Sequence, residues 1–160
     1  MANPTEIFEI AFTTTPDDPS PVWVDVTQWV QVSAGASTNR GRGDERSQIS
    51  PSTCTLRLDN ADGRFTPEKT SSPYYPNVKK GRRIRVSVTH NAVTYRRFTG
   101  YIDEWIVSWP SAKTNQAFVD ITASSRMARL GLGTELRSIV EEEYLLDGPR
   151  AYYTMGDAEG

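Results

Sequence analysis

A chain of 160 residues, 24% of them charged and with a formal net charge of -2, fits one typical domain with an appendage. That balance gives no overall pull toward nucleic acid or an anionic membrane. No run approaches the length of a membrane span, and Met1-Ala2-Asn3-Pro4 lacks the charged and apolar regions of a secretory signal, so a soluble protein unprocessed at its start is expected.

Glu6 to Thr13 alternates as a first strand, with Phe8, Ile10 and Phe12 on one face and Ile7, Glu9 and Ala11 on the other. A Pro- and Asp-rich loop follows (Pro16 to Pro21). Val22, Val24 and Val26 then share a face, and Trp29 to Ser33 reads as another short strand. From Ala34 to Ser50 the chain turns polar and glycine-rich, which predicts a long loop of the kind that carries function or orders on binding.

Thr53-Cys54-Thr55-Leu56-Arg57-Leu58 alternates again and makes Cys54 a small buried strand residue. As the single cysteine, it excludes an intrachain disulfide, and a catalytic thiol would need a base near it. The one histidine, His90, sits at a strand end. Arg82 to Thr89 sets Ile84, Val86 and Val88 against Arg83, Arg85 and Ser87. His90-Asn91-Ala92-Val93 predicts a hairpin turn into Thr94 to Thr99. Gly100 suggests a bulge or barrel corner. Tyr101 to Trp109 continues, with Ile102, Glu104 and Ile106 opposite Tyr101, Asp103, Trp105 and Val107. Pro110 to Asn115 turns into a last strand, Gln116 to Ala123.

Then the period changes. Ser124-Ser125 can cap a short helix with Met127, Ala128 and Leu130, ended by Gly131 and Gly133. A second helix fits Glu135 to Leu146, where Leu136, Ile139, Val140 and Tyr144 form a stripe. Seven or eight short strands followed by one or two short helices predict a mainly β protein, a barrel or a sandwich.

Candidate chemistry is sparse. Asp59, Asn60 and Asp62 before Gly63 place their oxygens at the first, second and fourth positions, unlike a calcium loop, and read as turn-forming Asx residues. Glu141, Glu142 and Glu143 point in different directions on the second helix and read as a solvated face, not a glycosidase carboxylate pair. The basic run Lys79, Lys80, Arg82, Arg83 and Arg85 alternates along a strand and reads as an outer face or ion pairs. Trp23, Trp29, Trp105 and Trp109 read as core or interface residues, with sugar stacking as the competing role. No catalytic residue, metal ligand or cofactor site is assigned.

Three segments together carry a resemblance. They are Trp23-Val24-Asp25-Val26-Thr27 with Arg40-Gly41-Arg42; Thr55 through Leu58-Asp59-Asn60-Ala61-Asp62-Gly63-Arg64-Phe65-Thr66-Pro67 to Tyr74-Tyr75-Pro76-Asn77-Val78; and Gly81-Arg82-Arg83-Ile84-Arg85-Val86 leading to Phe98-Thr99-Gly100-Tyr101-Ile102-Asp103. Over about residues 20 to 125 the chain resembles the minor tail proteins of long-tailed actinobacterial phages, similar to distal tail and baseplate hub proteins.

The resemblance implies a tail-tube-like β-barrel over residues 1–133, a helix or linker over 134–148, and at 149–160 the start of a jelly-roll domain or a free arm. It implies a non-enzymatic virion component, assembled in the host cytoplasm and located at the tail tip. There the ring, a hexamer in preference to a trimer, would join the tail tube to the host-recognition apparatus. Its partners would be itself, the tail tube and the hub, with DNA passing through the lumen without specific binding and no membrane contact. Candidate subunit-interface residues are Arg40, Arg42, Asp44 and Arg46 in the long loop, and Asp59, Asn60, Asp62, Arg64, Phe65, Tyr74 and Tyr75 in the signature segment. The alternative is a carbohydrate-binding or cell-wall-degrading tail module.

Overall fold

Strict alternation builds the sheet. The computed structural model describes residues 3–41, 46, 50–111 and 116–130. Among these residues are seven strands: β1 (Thr5–Ala11), β2 (Val24–Asp25), β3 (Ser37–Asn39), β4 (Thr53–Asp59), β5 (Arg83–His90), β6 (Val93–Ser111) and β7 (Gln116–Ser125), with a five-residue helix α1 (Arg126–Leu130) after them. They form one sheet in the order β2-β1-β5-β6-β7-β4-β3, and every ladder is antiparallel. The protein is therefore mainly β with a short helix at the end of the sheet. Among the described residues no helix is long and apolar enough to cross a membrane.

The sheet rolls up. Val24 pairs with Ile10 of β1, and the Val26 amide donates to the Phe8 carbonyl at 2.8 Å. A few residues on, Val30 bridges Leu58, and the Gln31 amide donates to the Arg57 carbonyl of β4 at 2.9 Å. One short segment thus touches both β1 and β4, which stand far apart in the strand order, and joins the two sides of the curl. Phe8, Ile10, Leu56, Leu58, Ile84, Phe98, Val119 and Ile121 fill the interior. At about 1.5–3 kcal/mol for each large side chain buried, this row dominates the stability of the sheet.

Trp29 to Ser33 is not a strand. Asp25 Oδ1 accepts from the Thr27 amide at 2.8 Å, and 3-10 turns form over Thr27–Trp29 and Val32–Ala34. The Asx contact curls the backbone where alternation alone predicts extension. The loop expected from Ala34 contains β3, three exposed residues pairing with β4. Of the expected Val22-Val24-Val26 face, Val22 is 59% exposed, while Val24 packs against the core and Val26 is fully buried in it.

Three register shifts interrupt β6, one of them past Ser108, and the first two reset the parity of its inner row. Val86 pairs with Phe98 and Ser87 with Arg96, leaving Arg97 extra; Ile102 pairs with Ala123 and Glu104 with Thr122, leaving Asp103 extra. Ile102 and Trp105, three residues apart, are consequently both buried, although uninterrupted alternation places them on opposite faces. Burying both large side chains outweighs the roughly 1 kcal/mol of a ladder hydrogen bond that a bulge forfeits. Gly100 lies between these bulges, where an added Cβ would stand 2.2 Å from the Ser124 carbonyl oxygen. It permits a close backbone approach.

The expected hairpin is present, with Asn91 (φ 49°) and Ala92 (φ 62°) both left-handed. Ser125 is the last residue of β7, directly before α1: its hydroxyl accepts from the Ser52 amide at 3.2 Å, while its own amide donates to the Ser52 carbonyl. The second expected helix, Glu135 to Leu146 with its glutamates, and the expected arm at 149–160 lie outside the described residues.

Candidate functional site

The signature segment leaves β4 at Asp59, crosses one end of the rolled sheet and enters β5 at Arg83. Its turn is built as Asx residues allow. Asp59 Oδ1 accepts from the Ala61 amide at 2.9 Å and Asp62 Oδ1 from the Arg64 amide at 3.0 Å, while Gly63 takes φ 71°. Asn60 is fully buried. Its Oδ1 accepts from the Phe65 amide at 2.8 Å, its Nδ2 donates to Thr66 Oγ1 at 3.0 Å, and its own amide donates to the Ala117 carbonyl at 2.8 Å.

This knot drives Phe65 inward. Its ring lies 5.6 Å from Tyr74, 5.7 Å from Trp29 and 6.3 Å from Trp105, and Phe12 stacks on Tyr74 at 4.2 Å. Farther along, Ser72 Oγ donates to the Arg64 carbonyl and accepts from the Tyr74 amide at 3.1 Å. The Tyr75-Pro76 peptide is cis. Arg82, 7% exposed, donates to the Thr14 carbonyl at 2.8 Å, the Asn77 carbonyl at 3.1 Å and Asn77 Oδ1 at 2.7 Å, and burial draws its pKa down.

Arg64 ties the cap to its rim. Its Nε donates to Asp62 Oδ2 at 2.6 Å and its guanidinium lies 4.3 Å over the Trp29 ring. That hydrogen bond is the main cause holding Asp62 below, and Arg64 above, their ordinary pKa values. The Tyr74 phenol is pushed up chiefly by burial.

The segment proposed for subunit contact divides accordingly. Asn60 and Phe65 have no exposed surface and act inside the subunit, which corrects their reading as contact residues. Arg64 and Tyr74 are half-buried; Asp59, Asp62 and Tyr75 are exposed, as is Arg40 in the long loop. Arg46 is exposed, and Arg42 and Asp44 lie outside the described residues.

The arginines of the basic run, Arg82, Arg83 and Arg85, are engaged within the chain, while Lys79 and Lys80 are exposed. Arg85 pairs with Glu9 through both guanidinium branches, the Nη2 to Oε1 distance being 2.7 Å, and lies 4.3 Å over Trp23. Arg57 holds Asp120 in the same two-pronged way at 2.7 and 2.9 Å. Cys54 is buried in β4 and its thiol is pushed up to about 12 by burial. No cluster of three or more His, Cys, Asp or Glu able to hold a metal ion occurs among the described residues.

Among the described residues, two larger concave surfaces stand out. One, of about 750 Å³, runs between the cap (Asp62, Glu68, Lys69) and the end of the β6–β7 hairpin (Trp109, Gln116). The other, of about 810 Å³, opens among Thr5, Phe8, Val30, Thr38, Val88 and Arg97. Sequence reasoning marked Trp109 only as one tryptophan of four and missed the second surface, whose residues come from five separate segments. Set against models of known protein families, the chain matches none, and no curated protein aligns with it significantly.

Proposed function

We propose that this protein is a structural component of a phage tail tip, forming a ring that joins the tail tube to the host-recognition apparatus. It works by packing and strand pairing, not by turnover. The ring is a hexamer in preference to a trimer, its lumen passes DNA without specific binding, and its other contacts are to tail tube and hub proteins in the virion.

One observation carries the assembly reading. β5 pairs with β6 only as far as Tyr101, whereas β6 runs on to Ser111 paired with β7 alone. From Asp103 onward no described strand lies along its other edge. Ile106, 52% exposed, and Trp109, 65% exposed, stand on that stretch. A long strand with an open edge and large apolar side chains is a template for another chain, and isolated soluble domains suppress such edges. The assignment to a phage tail rests on the signature segment, whose residues build the cap.

A second reading has its own observation. Trp109 beside the polar side chains Asp62, Glu68 and Gln116 also makes an aromatic platform of the kind that stacks on sugar rings. Native mass spectrometry of the purified chain separates the two. A discrete hexamer or trimer supports the ring. A monomer at all accessible concentrations that binds cell-wall glycans on an array moves the assignment to a carbohydrate-binding module.

A further inference from the structure

We infer that copies of this chain associate head to tail, Trp109 at the free end of β6 in one copy seating in the apolar mouth bordered by Phe8, Val30 and Val88 in the next. The inference rests on the assembly reading above and names the contact that makes it. The occupant of the mouth is a second copy of the same chain.

Three observations lead there. First, the two surfaces stand at opposite ends of one strand. β6 begins at the hairpin beside β5, where Arg97 borders the mouth, and ends beyond Trp109. Twelve residues separate Arg97 from Trp109, about 40 Å at the rise of an extended strand, so a copy cannot fill its own mouth.

Second, the surfaces match in apolar character. Trp105 and Val107 face inward opposite Ile121 and Val119, but Trp109 lies past Phe118, where the pairing of β4 with β7 ends, and is left 65% exposed. At the other end, Val30 and Val88 are half-buried beside buried Phe8, and no described side chain closes over them. Burying an exposed tryptophan in a pocket of this kind is how interface anchors work.

Third, the rims match in charge. Exposed Glu68 and Lys69 flank Trp109, and exposed Arg97 and Glu6 flank the mouth, so each rim carries both signs. Joining end to mouth with Glu68 against Arg97 leaves Lys69 to offset Glu6. Such a contact uses different patches on the two copies, so it closes into a ring when the rotation per copy divides a full turn.

The test mixes two variants, Gln116→Cys and Thr5→Cys, at exposed positions lining the two surfaces, with Trp109 kept as the anchor and Cys54 left in place because it is buried. Under mild oxidation the mixture is expected to give a covalent dimer of one of each, while either variant alone gives far less. In parallel, Arg97→Glu is expected to weaken association at least ten-fold by light scattering, and Glu68→Arg added to the same chain to restore it. Circular dichroism matching the parent confirms that each variant folds. An oligomer of discrete mass that forms no mixed cross-link, or whose Arg97→Glu variant assembles unchanged, overturns this contact and leaves the ring reading standing. A protein monomeric throughout overturns both.

Discussion

The indole Nε1 of Trp105 donates to the backbone carbonyl of Phe65 at 2.8 Å, linking the inner row of β6 to the loop that caps the rolled sheet. Both residues are buried, so neither end of this bond has water as a substitute. Trp105→Phe keeps a ring in the aromatic cluster but leaves the carbonyl without its donor. The expected loss is about 1–3 kcal/mol, the usual cost of a buried unsatisfied group. Urea unfolding would show it as a lower midpoint at unchanged slope.

Asn60 holds the same loop from the other side. Asn60→Ala strands the Phe65 amide and releases Thr66 Oγ1, and the expected loss is again about 1–3 kcal/mol. Asn60→Asp keeps the acceptor for the Phe65 amide but buries a carboxylate. Its folded pKa is then raised above the unfolded value, so its stability is greatest at low pH and falls as pH rises through the carboxyl range. Thermal melts of the parent and both variants at pH 4 and pH 7 would check this. Parity of Asn60→Asp with the parent at pH 7 would mean that the side chain reaches water.

The sheet was legible in the sequence because its cores alternate: Phe8, Ile10 and Phe12, Ile84 and Val86, and Leu56 and Leu58 face inward as spacing demands. What failed was parity across β6. A bulge adds one residue without any side-chain signature, so the faces assigned after Asp103 inverted. Trp29 to Ser33 misled because an Asx contact from Asp25 overrides a run of β-formers. The cap is harder in principle. Asn60, among Asp, Asp and Gly, has the composition of a solvated turn, and nothing local shows that Phe65 pulls it inside. The mouth was invisible because Thr5, Val30, Thr38 and Val88 meet only in the folded sheet.

Ala92 is a non-glycine residue held at φ 62° in the two-residue hairpin between β5 and β6. The left-handed region costs an ordinary residue about 1 kcal/mol, which glycine avoids. Ala92→Gly is therefore expected to stabilise by about 0.5–1 kcal/mol, opposite in sign to the same change within a strand. At this chain length that is a rise in Tm of about 1–4 °C. Differential scanning calorimetry would decide it, and a lowered Tm would mean that the turn is not left-handed at Ala92.

Cys54 predicts a slope at alkaline pH. Its thiol, ordinarily near 9.0, is pushed up to about 12 by burial in β4. Below about pH 9 the group is neutral in both folded and unfolded chains, and its contribution to stability is fully present. Between about 9 and 12 the unfolded thiol ionises while the folded one does not, so stability falls by up to about 1.4 kcal/mol per pH unit. Cys54→Ala loses packing at every pH but is free of this slope. Urea midpoints at pH 8 and pH 10.5 should therefore show the parent's advantage shrinking, tyrosine ionisation being common to both proteins. Iodoacetamide should leave the folded thiol intact at pH 8 and label it in urea, because the thiolate is the reactive species. A constant gap between the two proteins, or rapid labelling of the folded chain, would place Cys54 at the surface and contradict the inward row Cys54, Leu56 and Leu58.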